Sequence, residues 1–134
     1  MMIAELTEQE CLELLATTTV GRIGFVADDR VLILPVNYVL DGRDVLIRTA
    51  PEGILSALPD SPVAIAFEVD HHDDLAGSGW SVLLSTRASE IDAGDVATAP
   101  GAAHKHPWAG GDRSRALRLT PETISGRHVR RDRA

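Results

Sequence analysis

Arg48 and Thr49 stand side by side at the end of an apolar run, Val45-Leu46-Ile47, and Ala50-Pro51-Glu52-Gly53 follows them. Arginine presents a planar fork of N–H donors that matches a phosphate, and threonine adds a hydroxyl. A helical turn starting near Gly53 would add backbone N–H groups and the positive end of a dipole. Together these groups could hold a phosphate monoester. They also fit a strand that ends in a solvated arginine, and spacing alone does not separate the two readings.

A second run, Leu34-Pro35-Val36-Asn37-Tyr38, puts a proline inside an apolar stretch. Proline cannot donate to a strand ladder, so the site is an edge, a bulge or a place where a ligand meets the backbone. Asn37 carries both a donor and an acceptor, so a flat heterocycle with a polar edge could rest there. A bulge with a satisfied asparagine is the alternative. In Gly79-Trp80-Ser81-Val82, Trp80 suits a strand packed on a barrel wall. Trp108 lies between Pro107 and Ala109 in a Gly- and Pro-rich stretch. With little core to join there, it suits covering a ligand or a partner subunit.

Other clusters carry less. His71-His72-Asp73-Asp74 and His104-Lys105-His106 lack the spacing of a metal-ligand motif, so no metal is expected. Ser81, Ser85 and Ser89 have no nucleophile-elbow context. The glycines at 21, 24, 77 and 79 do not form a phosphate loop.

The elements that must position these residues read mostly as strands. Thr7-Glu8-Gln9-Glu10 has the capping-box pattern and opens a short helix with Cys11, Leu12, Leu14 and Leu15 on its apolar side. Strands are predicted over Val20–Ala27, Val31–Leu40 and Val45–Thr49, joined at Asp28-Asp29-Arg30 and at Asp41-Gly42 as a meander. Ile54–Leu58 reads as one or two helical turns. Further strands are predicted over Pro62–Val69, Trp80–Ile91, Ser114–Thr120 and Ile124–Val129. The intervening 70–79 and 92–112 are read as a polar loop and a surface excursion, and Pro121-Glu122-Thr123 as a turn. Short strands with frequent turn signals point to a barrel or sandwich.

The chain has 134 residues, enough for one domain, expected over 6–129 with a frayed tail over 130–134. Its net charge of −7 argues against a nucleic-acid surface, which needs a basic excess. One cysteine, Cys11, excludes an intrachain disulfide and suits a reducing cytosol. No signal-peptide pattern opens the chain and no apolar run reaches membrane-span length, so the expected location is cytoplasmic, with no membrane partner.

Taken in order, several of these pieces resemble one family. They are Val20-Gly21-Arg22-Ile23-Gly24-Phe25, Pro35-Val36-Asn37-Tyr38 and Arg48-Thr49-Ala50, then Ala66-Phe67-Glu68-Val69-Asp70, Gly79-Trp80-Ser81-Val82, Pro107-Trp108 and Ser125-Gly126-Arg127. The series is similar to the pyridoxamine 5'-phosphate oxidase-like flavin-binding split barrels, in particular their small bacterial members. The resemblance implies a mostly β fold: a six- to seven-stranded antiparallel split barrel with short helices, paired as a homodimer with FMN in the cleft between subunits. It implies that Arg48, Thr49 and Ala50 meet the phosphate and that Pro35, Val36 and Asn37 run beside the ring. Trp80 and Ser81 would come from the neighbouring strand, and Trp108 would close over the site.

One position departs from the family pattern. Relatives often read Gly-Ser-Lys-Leu where this chain has Glu52-Gly53-Ile54-Leu55. Ile54 cannot reach a phosphate as lysine would, and a lost charge-assisted contact costs on the order of 1.5–3 kcal/mol. The function expected from the resemblance is a flavin-dependent oxidoreductase acting on a small molecule, with no catalytic side chain assigned. Two alternatives stand beside it. One is a non-catalytic dimeric binding module with an altered or lost cofactor site; the other is a reductase using a deazaflavin. Pyridoxamine 5'-phosphate oxidation itself is not expected, because the extra basic residues for a substrate phosphate are not found.

Overall fold

In the computed structural model of the protein, residues 1–50, 52–99 and 115–132 are described. Strands β1 (Met2–Glu5), β2 (Val20–Ala27), β3 (Arg30–Asn37), β4 (Val39–Asp41), β5 (Asp44–Thr49), β6 (Ile65–Asp73), β7 (Ser78–Asp92) and β8 (Arg115–Arg130) form one antiparallel sheet. Its order is β3-β2-β6-β7-β8-β5-β4, and β1 pairs with the far end of β8. The sheet curls around a core but does not close: β3 and β5 come near each other without forming a ladder. This is the split-barrel architecture, with eight strands among the described residues against the six or seven expected.

Two helices and a 3-10 segment complete the fold. Helix α1 (Glu8–Leu15) starts on the predicted capping box, in which Thr7 Oγ1 accepts from Glu10 N–H and Glu10 Oε1 accepts from Thr7 N–H. It turns Cys11 and Leu15 into the barrel. Ile54–Asp60 is a 3-10 segment that buries Leu55 and Leu58. Helix α2 (Ala93–Thr98), capped by Asp92, occupies part of the predicted excursion.

The core has two parts because β5 is covered on both sides. Val45 and Ile47 join Ile23, Phe67, Val82, Leu84 and Leu117 inside the barrel. Leu46 faces the other way, against Val39, Val96 and Ala116 under α2. Two glycines let this packing close up. A Cβ on Gly21 would lie 2.4 Å from the Phe67 ring, and one on Gly126 would lie 2.7 Å from Cys11 Sγ, where α1 rests on β8.

Several boundaries differ from expectation for identifiable reasons. The second predicted strand breaks at Tyr38, whose N–H turns to the Thr19 carbonyl. Both predicted hairpins form, β2–β3 and β4–β5, but the break between β3 and β4 keeps them from making one continuous meander: β3 pairs only with β2, which makes Pro35 an edge-strand proline, and β5 lies between β4 and β8. Residues 70–79 are largely hairpin, with His71↔Trp80 and Asp73↔Ser78 in register. The expected turn at Pro121 is instead a bulge in a continuous β8, where the register shifts between Ser85↔Thr123 and Thr86↔Pro121. Strand β8 also runs through Arg130, which pairs with Met2 and Ser78 where fraying was expected. Among the described residues no helix is long and apolar enough to cross a membrane.

Candidate functional site

The outer face of the β3-β2-β6-β7 sheet carries most of the polar candidates. Strand alternation places Pro35, Arg22, Glu68, Asp70 and Ser81 on this side. Arg22 lies opposite Pro35 on one flank and Glu68 on the other, and Asp70 lies opposite Ser81. Arg22 Nη1 donates to Glu68 Oε1 at 3.0 Å and to Asp70 Oδ2 at 2.7 Å. One guanidinium nitrogen therefore serves two carboxylates. Burial and the adjacent Asp70 push the Glu68 carboxyl up to about 7. The hydrogen bond from Glu68 in turn holds Asp70 below the usual carboxylate range. The two titrate as a pair that shares a proton.

Around this cluster the face is apolar and open. Val31 is 75% exposed, Ile33 65% and Leu83 50%. Gly24 and Ala66 continue the rung of Ile33 to Ser85, while Leu83 ends the rung of Pro35, Arg22 and Glu68.

At the β3 end, Asn37 presents a buried Oδ1 with no hydrogen-bond partner among the described residues. A buried acceptor left without a donor costs on the order of 1–3 kcal/mol. Val36 points inward and packs against the core, as does Trp80. Neighbouring residues on a strand face opposite sides, so Trp80 belongs to the inner wall and Ser81 to the outer face. Both nevertheless border one open hollow of about 660 Å³ beside the β6–β7 hairpin, together with Asp70, His72 and Arg131.

The same alternation separates Arg48 from Thr49. Arg48 is exposed and makes no ion pair among the described residues, whereas Thr49 is 2% exposed and faces the core side. Thr49 Oγ1 lies 3.5 Å from the Ala50 carbonyl, and Gly53 N–H closes the turn onto that carbonyl at 3.1 Å. A Cβ on Gly53 would stand 3.4 Å from Thr49 Oγ1. Ala50 is half-buried, and Ile54 beyond the turn is exposed. Trp108 and Pro107, like His104 and His106, lie outside the described residues. So does Pro51.

Sequence reasoning passed over the Arg22–Glu68–Asp70 cluster. The acids at 68 and 70 show the period of one strand face, but their meeting with Arg22 depends on pairing between distant strands.

Residues 7–128 match the family described as pyridoxamine 5'-phosphate oxidase. An uncharacterized protein of Mycobacterium tuberculosis is 32% identical over 130 residues, covering 92% of this chain and 84% of that protein. A crystal structure from Corynebacterium glutamicum, described provisionally as a pyridoxamine 5'-phosphate oxidase, superposes with a TM-score of 0.78 at 28% identity. That match covers 98% of this chain and 96% of the other. A protein from Mycobacterium smegmatis, described as FAD binding, superposes with a TM-score of 0.70 at 30% identity, covering 96% of this chain and all of that one.

Proposed function

Because the chain belongs to the pyridoxamine 5'-phosphate oxidase family, we propose that it is a flavin-binding split-barrel protein working as a flavin-dependent oxidoreductase on a small molecule. The observation that carries this reading is the unpartnered Asn37 Oδ1. The pyrimidine edge of a flavin has one N–H between two carbonyls, and that N–H would supply the missing donor. Arg48 would take the phosphate end, where its guanidinium makes no ion pair among the described residues. Thr49 and Ala50 would shape the turn that supports it, and Pro35 and Ser81 would border the ring on the open face.

FMN is the cofactor we assign, since one free arginine suits one phosphate monoester. The relative described as FAD binding makes FAD the necessary comparison. The cofactor would supply the redox chemistry, while the chain binds it, orients it and excludes water. Consequently no side chain is assigned an acid, base or nucleophile role.

A homodimer completes this reading. Val31 and Ile33 on β3 and Leu83 on β7 are exposed apolar side chains on either side of the polar cluster, and a second copy of the chain would cover this face in an isologous contact. Cys11 is a free, buried thiol, which suits the reducing cytoplasm in which we place the protein.

A second reading, a dimeric binding module without catalysis, is favoured by one observation. Ile54 and Glu52 are both exposed beside the phosphate end, giving it an apolar and an acidic neighbour. An absorbance spectrum of freshly purified protein, followed by parallel titrations with FMN, FAD and a deazaflavin, separates these readings. Tight binding of FMN with electron transfer from a reduced nicotinamide supports the proposal. Binding without turnover supports the module, and a chain that ignores all three cofactors sinks the oxidoreductase and leaves the module with a lost cofactor site.

A further inference from the structure

Asn37 and Arg48, assigned above to the ring and the phosphate of one cofactor, stand on strands that no ladder joins. Strand β3, which ends on Asn37, lies at one end of the open sheet, and β5, which carries Arg48, lies next to the other end. Through the sheet, β2, β6, β7 and β8 separate them. The short route is the chain itself. Asn37 leads into Tyr38 and then into β4, whose first residue, Val39, pairs with Leu46 two residues before Arg48. The spacing of the two groups across the seam is therefore set at Tyr38.

Tyr38 is built as a fixed joint. It is 2% exposed, and its ring packs edge-on against Phe67 of β6. Its N–H donates to the Thr19 carbonyl at 3.1 Å, and its hydroxyl donates to the Leu15 carbonyl and meets Thr18 Oγ1. The last carbonyls of a helix have no partner within it, so the bond to Leu15 also closes the end of α1. Helix α1 rests in turn on β8, where Cys11 packs at Gly126. The seam is thus tied through one side chain to β6 and, by way of α1, to β8.

We propose that Tyr38 is a positioning residue for the cofactor: by pinning the seam, it holds Asn37 and Arg48 at the spacing that lets one flavin phosphate engage both. This rests on the flavin-binding reading above. A ligand held at one end reaches its second contact as an intramolecular step, and the gain depends on how well the spacing of the two contacts matches the ligand. A loosened seam lowers the fraction of chains that hold the matched spacing, and apparent affinity falls by that fraction. FMN uses both contacts, whereas riboflavin has no phosphate and uses only the ring contact. The Tyr38 hydroxyl therefore favours FMN over riboflavin.

The test is a set of parallel fluorescence titrations of wild type and Tyr38→Phe with FMN and with riboflavin, at a temperature where circular dichroism shows both proteins folded. Tyr38→Phe is expected to raise the FMN dissociation constant roughly three- to tenfold and that of riboflavin by less than about twofold. Thr86→Val is the stability control, since Thr86 is buried on β7 and donates to the Ile65 carbonyl at 2.9 Å, away from the seam. It should leave the ratio of the two constants unchanged. If Tyr38→Phe does not fold, Thr18→Val removes the other hydroxyl of the joint and is read in the same way. Equal weakening of both ligands, no weakening of either, or the same change of ratio in Thr86→Val overturns the pin while the flavin reading stands. A wild-type chain that binds neither ligand overturns the flavin reading and the pin with it.

Discussion

The Tyr38 hydroxyl donates to the Leu15 carbonyl at 2.5 Å and so ties the break between β3 and β4 to the last turn of α1. The same hydroxyl meets Thr18 Oγ1, and the ring stands edge-on to Phe67 with centroids 5.1 Å apart. Burial pushes the phenol up to about 12. Tyr38→Phe keeps the ring packing and leaves a buried carbonyl without its donor. The expected loss is about 1–3 kcal/mol of unfolding free energy, read from urea titration. An unchanged midpoint and slope would show that the bond contributes nothing net.

Gly21 is expected to resist even the smallest side chain. Its missing Cβ is the space into which the Phe67 ring fits, and Phe67 is fully buried. Gly21→Ala stiffens the unfolded chain, which alone would favour folding by under about 1 kcal/mol. Overpacking of about 1–3 kcal/mol outweighs that gain. Calorimetry should therefore show a lower Tm for Gly21→Ala, and an equal or higher Tm would refute the packing argument.

The Glu68–Asp70 pair makes the stability of a single subunit depend on pH. Glu68 is held up to about 7, so folding takes up a proton there. Its contribution is full below the ordinary glutamate value of about 4.3 and is lost as pH rises to about 7. Asp70 has the opposite sense: its contribution is present above the ordinary aspartate value and is lost as acid protonates it in the fold. Chemical denaturation of Val31→Lys, whose charge on the edge strand of the open face should keep the chain monomeric without titrating in this range, is expected to show stability falling between about pH 5 and about pH 7. Adding Glu68→Gln should flatten that fall, and a fall of equal size would remove Glu68 as its source.

Ile54 and Arg48 make opposite predictions for a phosphate-bearing cofactor. Ile54→Lys adds a cation at an exposed position beside the turn and should tighten FMN binding roughly 10–100-fold. Arg48→Ala should weaken it by a similar factor. Riboflavin, which lacks the phosphate, should respond to neither change. An equal effect on riboflavin would place both residues away from the phosphate.

Local signals in the sequence carried a good part of the fold. Strand β2 occupies the predicted Val20–Ala27, and Asp28 and Asp29 both adopt positive φ, 52° and 60°, as a tight hairpin turn requires. The order of strands was not legible, because β2 must choose β6 across more than forty residues and no local pattern encodes that choice. Pro121 read as a turn because proline breaks ladders. In the fold it is buried at a bulge, which spares the hydrogen bond it cannot make. The site residues were legible as types but not as neighbours: Arg48-Thr49 and Trp80-Ser81 are adjacent in sequence, and the strand pleat sends the members of each pair to opposite sides.

Strand β8 has a consequence for how the chain is made. Without it, β1 has no partner strand and the other six fall into two ladders that do not pair with each other, β3-β2-β6-β7 and β4-β5. A nascent chain has therefore synthesised seven strands before the one that joins them leaves the ribosome. Val31, Ile33 and Leu83 stay open to other molecules throughout that interval, and even the finished subunit leaves them exposed. Assembly of this barrel is consequently a late event, and its last-made strand sets how long a growing chain must be shielded.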